Sequence, residues 1–182
     1  MTHHQFIVTG VCTAGKSTFA HELVKKYLVQ HICIDPIIEA FEDVFPELGI
    51  THKAPTPKEH DQVCQQFKPF VFRMIDGLVA DDFVIEGFRL PLRDLYARYP
   101  HLQYFVFGLP TATPKEMVAR CRKFDTNSWT NEMSDEELSK VFEFLIEESK
   151  KLQTLCQELG VPFFDTSKGY WGNIKAALEV TR

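Results

Sequence analysis

Five short apolar runs recur along the chain, and each reads as a buried β-strand. They are Phe6-Ile7-Val8, Ile32-Cys33-Ile34, Phe83-Val84-Ile85, Leu102–Phe107 and Val161–Phe164, all rich in β-branched or aromatic residues. Between them the period changes to three and four residues, which predicts helices over Lys16–Tyr27, Ile37–Phe45, Lys58–Leu78 and Trp171–Val180. The stripe Val63, Phe67, Phe70, Val71, Met74 and Leu78 marks the third of these. Thr113-Pro114-Lys115-Glu116 and Ser134-Asp135-Glu136-Glu137 are capping boxes that open two more helices. The second of these carries Leu138, Val141, Phe142, Leu145, Leu152, Leu155 and Leu159 on one face and stops at Gly160. Strands alternating with helices imply a parallel sheet, and ligands of such sheets bind beyond the carboxyl ends of the strands.

The turn between the first strand and the first helix is the most specific stretch. Gly10-Val11-Cys12-Thr13-Ala14-Gly15-Lys16-Ser17 matches G-x-x-x-x-G-K-[ST], the phosphate-binding P-loop. Gly10 and Gly15 let the backbone turn and approach phosphate closely, and the loop N–H groups with the helix N-terminus at Lys16, Ser17 and Thr18 favour an anion. Lys16 supplies a cation for the β- and γ-phosphates and Ser17 a hydroxyl for Mg²⁺. Cys12 is either a small residue that fits the loop or a thiol whose pKa the helix N-terminus lowers.

Charge and cysteine usage narrow the class. A formal charge of -5 argues against a nucleic-acid binder, which carries a basic face. Five cysteines without C-x-x-C spacing suggest reduced thiols and a cytoplasmic setting. No apolar run reaches the length of a membrane span. The expectation is a single domain over residues 1–182, as a monomer or homodimer.

Three more strand ends carry chemistry. Asp35 ends the second strand and precedes Pro36; it reads both as a helix N-cap and as a general base or metal-water ligand. Glu86 ends the third strand, where an acid can hold Mg²⁺ waters, and Gly87 admits a ligand. Arg89 and Arg93 follow at once. Arg73, off the apolar stripe of its helix, is either a solvated surface residue or an anion contact for a second substrate. Thr166-Ser167-Lys168-Gly169 turns at the end of the fifth strand, again on the ligand side. Pro46–Pro57 reads as an exposed loop and Phe124–Asn131 as a polar one.

In this order the parts resemble the adenylate kinase and shikimate kinase group of small P-loop phosphotransferases. Ile85-Glu86-Gly87-Phe88 is similar to the Asp-Gly-Phe segment of nucleotide monophosphate kinases, with Glu in place of Asp. The resemblance implies an α/β three-layer sandwich with a parallel sheet of order 2-3-1-4-5, an acceptor-binding insertion over about 36–80 and a lid over about 124–134. It implies ATP and Mg²⁺, with Asp35 contacting the acceptor hydroxyl and the turn Thr166, Ser167, Lys168 cradling adenine. Arg120 and Arg122, just before the lid, are the arginines available to the transferring phosphoryl group. The expected function is an ATP-dependent kinase for a small-molecule hydroxyl. A nucleoside monophosphate kinase, a P-loop hydrolase and a non-catalytic nucleotide-binding module are the alternatives.

Overall fold

The computed structural model describes residues 3–52, 56–124 and 129–181. Its strands are β1 (Gln5–Gly10), β2 (Gln30–Cys33), β3 (Phe83–Gly87), β4 (Gln103–Gly108) and β5 (Phe163–Asp165). All pairings are parallel, in the order β2-β3-β1-β4-β5. The helices are α1 (Lys16–Tyr27), α2 (Asp35–Val44), α3 (Pro57–Gly77), α4 (Leu92–Arg98), α5 (Pro114–Phe124), α6 (Asp135–Leu159) and α7 (Tyr170–Glu179). This is the expected P-loop α/β architecture, with helices on both faces.

Alternation along the central strands feeds two cores. Phe6, Val8, Phe105 and Phe107 face one side, where they meet Phe19 and Leu23 of α1, Met117 and Cys121 of α5 and Ile174 of α7. Ile7, Ile85 and Val106 face the other, where Ile38 of α2, Phe67, Val71 and Ile75 of α3 and Leu95 of α4 cover them. The long helix α6 serves both: Leu138, Phe142 and Leu145 pack in the first core and Cys156 in the second.

Capping fixes where helices begin. Glu116 N donates to Thr113 Oγ1 at 3.3 Å and Glu137 N to Ser134 Oγ at 3.3 Å, as both boxes predict. A third box opens α3, where Thr56 Oγ1 accepts from Glu59 N. The expected cap at Asp35 is not made. Ile34 holds the N-cap position, without a side-chain cap, and Asp35 is the first residue of α2. The stretch after α2 is exposed over residues 46–49, as expected, but is tied down around it. Pro46–Leu48 forms a 3₁₀ turn, Ile50 is buried, and Glu42 Oε2 accepts from Thr51 Oγ1 at 2.8 Å and His52 N at 3.0 Å.

Candidate active site

The P-loop leaves β1 in a conformation that only its residues allow. Gly10 and Gly15 have φ of 131° and 101°, and a Cβ on Gly10 would lie 1.8 Å from Phe107 O, so this strand end abuts β4 directly. Thr13 takes φ of 62°, a left-handed conformation unusual for a β-branched residue, and its buried hydroxyl has no hydrogen-bond partner. Lys16 is buried and its ammonium donates to Val11 O at 3.0 Å, folding back over the loop. Val11, Cys12 and Ala14 shape the loop wall, and Ala14 O accepts from Thr166 Oγ1 at 2.8 Å. A cleft of about 170 Å³ opens here, lined by Thr13, Gly15, Lys16, Ser17, Thr18 and Tyr170.

β3 delivers the acid. Glu86 is almost fully buried; its Oε1 accepts from Ser17 Oγ at 2.9 Å and lies 3.5 Å from His31 Nε2, while Oε2 has no partner. A hydroxyl beside a carboxylate with an idle buried oxygen is a hard-oxygen donor set that fits Mg²⁺. Among the described residues no group of three or more His, Cys, Asp or Glu is gathered as metal ligands. Asp35 follows β2, which pairs with β3 at Cys33 and Glu86, and its buried Oδ1 is unpartnered. The room at Gly87 is taken by protein: a Cβ there would lie 2.1 Å from Ile34 Cγ1 and 3.4 Å from Asp35 Oδ1. Gly87 thus lets α2 close on β3 and bring Asp35 in, where the sequence suggested ligand approach.

Arg89 forms a cationic wall. It is buried, its Nη2 donates to His52 O, and its Nε is without a partner. His60 lies against Phe88 in a tilted pair with ring centroids 4.3 Å apart, and burial together with the Arg89 charge pushes its pKa down, favouring the neutral ring. Among the described residues the buried side-chain polar atoms left without hydrogen bonds belong to Thr13, His31, Asp35, Glu86 and Arg89. All of them lie on the P-loop or at the β2 and β3 strands and exits beside it. Unpaired buried polar atoms are costly, and these gather in one region beside the P-loop, which makes it the candidate site.

On the other flank, Thr166 is fully buried and ties β4 to the P-loop, so its side chain is structural. Ser167 Oγ accepts from Thr111 N at 3.3 Å, and Lys168 is exposed. Arg120 donates to Thr166 O at 3.1 Å and lies 4.6 Å over the Tyr170 ring. Arg122 uses its donors on Asp135 Oδ1 at 2.9 Å, Thr130 O at 2.9 Å and Met133 O at 2.5 Å. It staples the end of α5 to the start of α6 and does not face the cleft. Of the lid, Asp125, Thr126, Asn127 and Ser128 lie outside the described residues, and Trp129–Glu132 is a 3₁₀ turn.

Other candidates separate from the site. Arg73 is exposed near the end of α3, whose following carbonyl, Leu78 O, meets Gln5 where β1 begins; this is the opposite end of the sheet. Arg93 turns outward to Glu158 at 2.6 Å. Burial raises the Cys12 pKa against the pull of Lys16 and Arg89, so the loop thiol is not activated. A larger cleft of about 390 Å³ between α3, α4 and α6 includes His60, Leu90 and Glu148 but no P-loop residue. Tyr170 and His31 are the site residues that sequence reasoning missed. Tyr170 directly follows the Thr166–Gly169 turn, which was a usable signal; His31 had none.

Among solved structures, the chain is similar to shikimate kinase from Bacteroides thetaiotaomicron, with a TM-score of 0.61 at 16% identity over 97% of each chain. It is also similar to a sugar kinase from Janibacter sp. HTCC2649, with a TM-score of 0.53 at 16% identity, covering 98% of this chain and 94% of that one. No protein-family model and no curated protein matches the sequence. The P-loop, the parallel order β2-β3-β1-β4-β5 and these likenesses together give the chain the fold of the small P-loop kinases.

Proposed function

We propose that the protein is an ATP-dependent phosphotransferase acting on the hydroxyl of a small molecule. The observation that carries this reading is Asp35. Its Oδ1 is buried and unpaired, 3.4 Å from where a Cβ on Gly87 would sit at the end of β3, and the capping role that would explain it structurally is not made. A carboxylate oxygen without a partner near the phosphate loop supports a role in accepting the acceptor's proton.

In this mechanism the loop N–H groups of Val11–Ser17 and the Lys16 ammonium hold the polyphosphate. Lys16 needs only to exchange its bond to Val11 O for phosphate oxygens. Ser17 Oγ and the Glu86 carboxylate would hold Mg²⁺, which when bound neutralises charge on the β- and γ-oxygens. The acceptor oxygen bonds to the γ-phosphorus as the bond to the β–γ bridging oxygen breaks. The acceptor proton passes to Asp35, and ADP leaves. Arg89, whose Nε has no partner, would contact the acceptor. Of the two arginines before the lid, Arg120 makes one hydrogen bond and a ring contact, so it can turn to the phosphoryl group at lower cost than the triply bonded Arg122. Lid closure over this centre would keep water from the γ-phosphate. The five free cysteines fit a reducing, cytoplasmic setting.

The test is ADP release measured against a panel of hydroxylated metabolites and nucleoside monophosphates, with Lys16→Ala as control. A hydroxylated acceptor should stimulate turnover, and Lys16→Ala should lower it by about a hundred- to a thousandfold, the usual cost of one transition-state donor, with an unchanged melting curve. Turnover that ignores every acceptor points to a hydrolase. Turnover that Lys16→Ala leaves intact overturns the P-loop site itself.

A further inference from the structure

A second buried atom without a partner stands beside Glu86, on the neighbouring strand. His31 lies in β2, the edge strand of the sheet, in register with Val84 of β3. Val84 packs in the core that α1 covers, and Glu86, two residues on, shares its face. His31 is therefore on the same side of the sheet as Glu86, where α1 begins with Lys16 and Ser17. Its Nε2 lies 3.5 Å from Glu86 Oε1 and, although buried, makes no hydrogen bond among the described residues. His21 of α1 meets the ring edge-on, with centroids 5.1 Å apart.

Three electron-pair donors meet at this point. Ser17 Oγ is 2.9 Å from Glu86 Oε1, His31 Nε2 is 3.5 Å from the same oxygen, and Glu86 Oε2 has no partner. Two ligands at right angles on an octahedral ion, each about 2.1 Å from it, stand about 3 Å apart. Both separations are therefore close to those of neighbouring ligands on one cation. An imidazole nitrogen whose lone pair faces a carboxylate repels it, and a cation between them turns the repulsion into attraction. Nitrogen also changes which cation is preferred. Mg²⁺ takes oxygen ligands, whereas an imidazole suits first-row transition ions.

We propose that His31 Nε2 is a ligand of the divalent cation, beside Ser17 Oγ and the Glu86 carboxylate, which makes this a mixed nitrogen–oxygen site that takes a transition ion such as Mn²⁺ or Co²⁺ more tightly than Mg²⁺. This rests on the reading of Ser17 and Glu86 as the residues that hold the cation. One imidazole, one carboxylate and one hydroxyl leave further positions on the ion for phosphate oxygens and water. Mg²⁺ still binds through the oxygens; the nitrogen supplies the preference.

The test looks for the nitrogen itself. The protein is labelled with ¹⁵N in its histidines, loaded with Mn²⁺ and ATP, and measured by pulsed electron paramagnetic resonance. The wild type should show the ¹⁵N coupling of a directly bound imidazole. His31→Gln keeps a polar amide but has no imidazole, so it should lose the coupling; His21→Gln should retain it. Dissociation constants for Mn²⁺, Co²⁺ and Mg²⁺ at saturating ATP give a second reading. His31→Gln should weaken Mn²⁺ and Co²⁺ at least about tenfold, the lower end of what even an outer partner of a metal ligand is worth, and leave Mg²⁺ nearly unchanged. Bound Mn²⁺ without nitrogen coupling in the wild type overturns the proposal, and that reading needs no variant to fold. So does coupling that persists in His31→Gln, or an equal weakening of all three ions, which would mean that His31 only orients Glu86. If the wild type binds no Mn²⁺ with ATP and Ser17→Ala behaves identically, the cation site falls and this inference with it; bound Mn²⁺ that merely lacks the coupling leaves that site standing.

Discussion

Where β1 and β4 begin, the polar side chains at the sheet are spoken for. Gln5, buried at the head of β1, donates from Nε2 to Asp81 O at 2.9 Å and Val79 O at 3.1 Å, holding the turn after α3. His4 N donates to Asp82 Oδ1 at 2.7 Å. Tyr99 donates to Asp76 Oδ1 at 2.7 Å and accepts from Arg98 Nε at 2.9 Å, and Tyr104 donates to Leu95 O and Tyr99 O. Around the ends of β1 and β3, Thr13, Asp35, Glu86 and Arg89, with His31 of β2 beside Glu86, keep buried atoms without partners. Both edges belong to one sheet and share its cores. The difference is that the first group has completed its hydrogen bonds internally and the second has not. Stability should therefore reside at the first edge and function at the second, and mutations should separate the two.

The largest effect belongs to Asp35→Asn. An amide has no basic oxygen, so kcat on the true acceptor should fall on the order of 10²–10⁴-fold, the range for a lost general base. Because Asp35 makes no cap bond and its Oδ1 has no partner, unfolding stability should hold or rise slightly. Steady-state kinetics beside a denaturant melt gives both readings. A mild kinetic effect with transfer to a nucleoside monophosphate would replace the hydroxyl acceptor by a phosphate, which needs no base.

Gln5→Ala should show the converse. It strips the donor from carbonyls after α3 and should cost about 2 kcal/mol, in the range for buried groups left unsatisfied. For a chain of this size that is roughly 4–8 °C in melting temperature. The kcat and KM should not move. A fall in kcat at full folding would show that the two edges are coupled.

The same contrast explains what could be read from the chain. The strands, the P-loop and two caps were legible because each is written in contiguous residues: apolar runs, fixed glycine and lysine offsets, a Thr or Ser three residues before a Glu. The tetrapeptide Thr-Pro-Lys-Glu occurs at both Thr56 and Thr113 and caps a helix both times, so the start of α3 was readable by the same rule. Asp35 looked like a cap because Asp-Pro commonly opens a helix; the helix instead begins on Asp35 itself, because Ile34 is already helical in φ and ψ and its N–H pairs with Glu86 O. The partners of Arg89, Arg120 and Arg122 were not legible, since an arginine reaches across elements and spacing carries no record of what it meets. Arg73 illustrates the limit. Its position on a helix was predictable, but which end of the sheet that part of the helix reaches depends on where α3 starts and how long it runs.

The smallest effect sharpens the comparison through pH. Tyr99→Phe removes one hydroxyl from the paired edge and should cost about 1 kcal/mol at neutral pH, the net worth of an ordinary hydrogen bond. Part of that cost is tied to Asp76. Its pKa is held below the usual carboxylate range, first by the hydrogen bond from Tyr99 and then by Arg98. A carboxylate whose folded pKa is depressed contributes stability that is fully present above its unfolded value, about 3.9, and is lost as pH falls through the folded value. The stability gap between wild type and Tyr99→Phe should therefore be constant from neutral pH down to about pH 5 and narrow below about pH 4. Asp82, Glu116 and Glu137 are depressed as well, by bonds from His4, Thr113 and Ser134, but the substitution leaves those bonds intact, so they cancel in the difference. Denaturant melts of both proteins between pH 7 and pH 3 read the gap directly. A gap that stays level through the acid range would mean that the Tyr99 hydroxyl serves Phe72 O, its other acceptor at 3.0 Å, and not the Asp76 carboxylate.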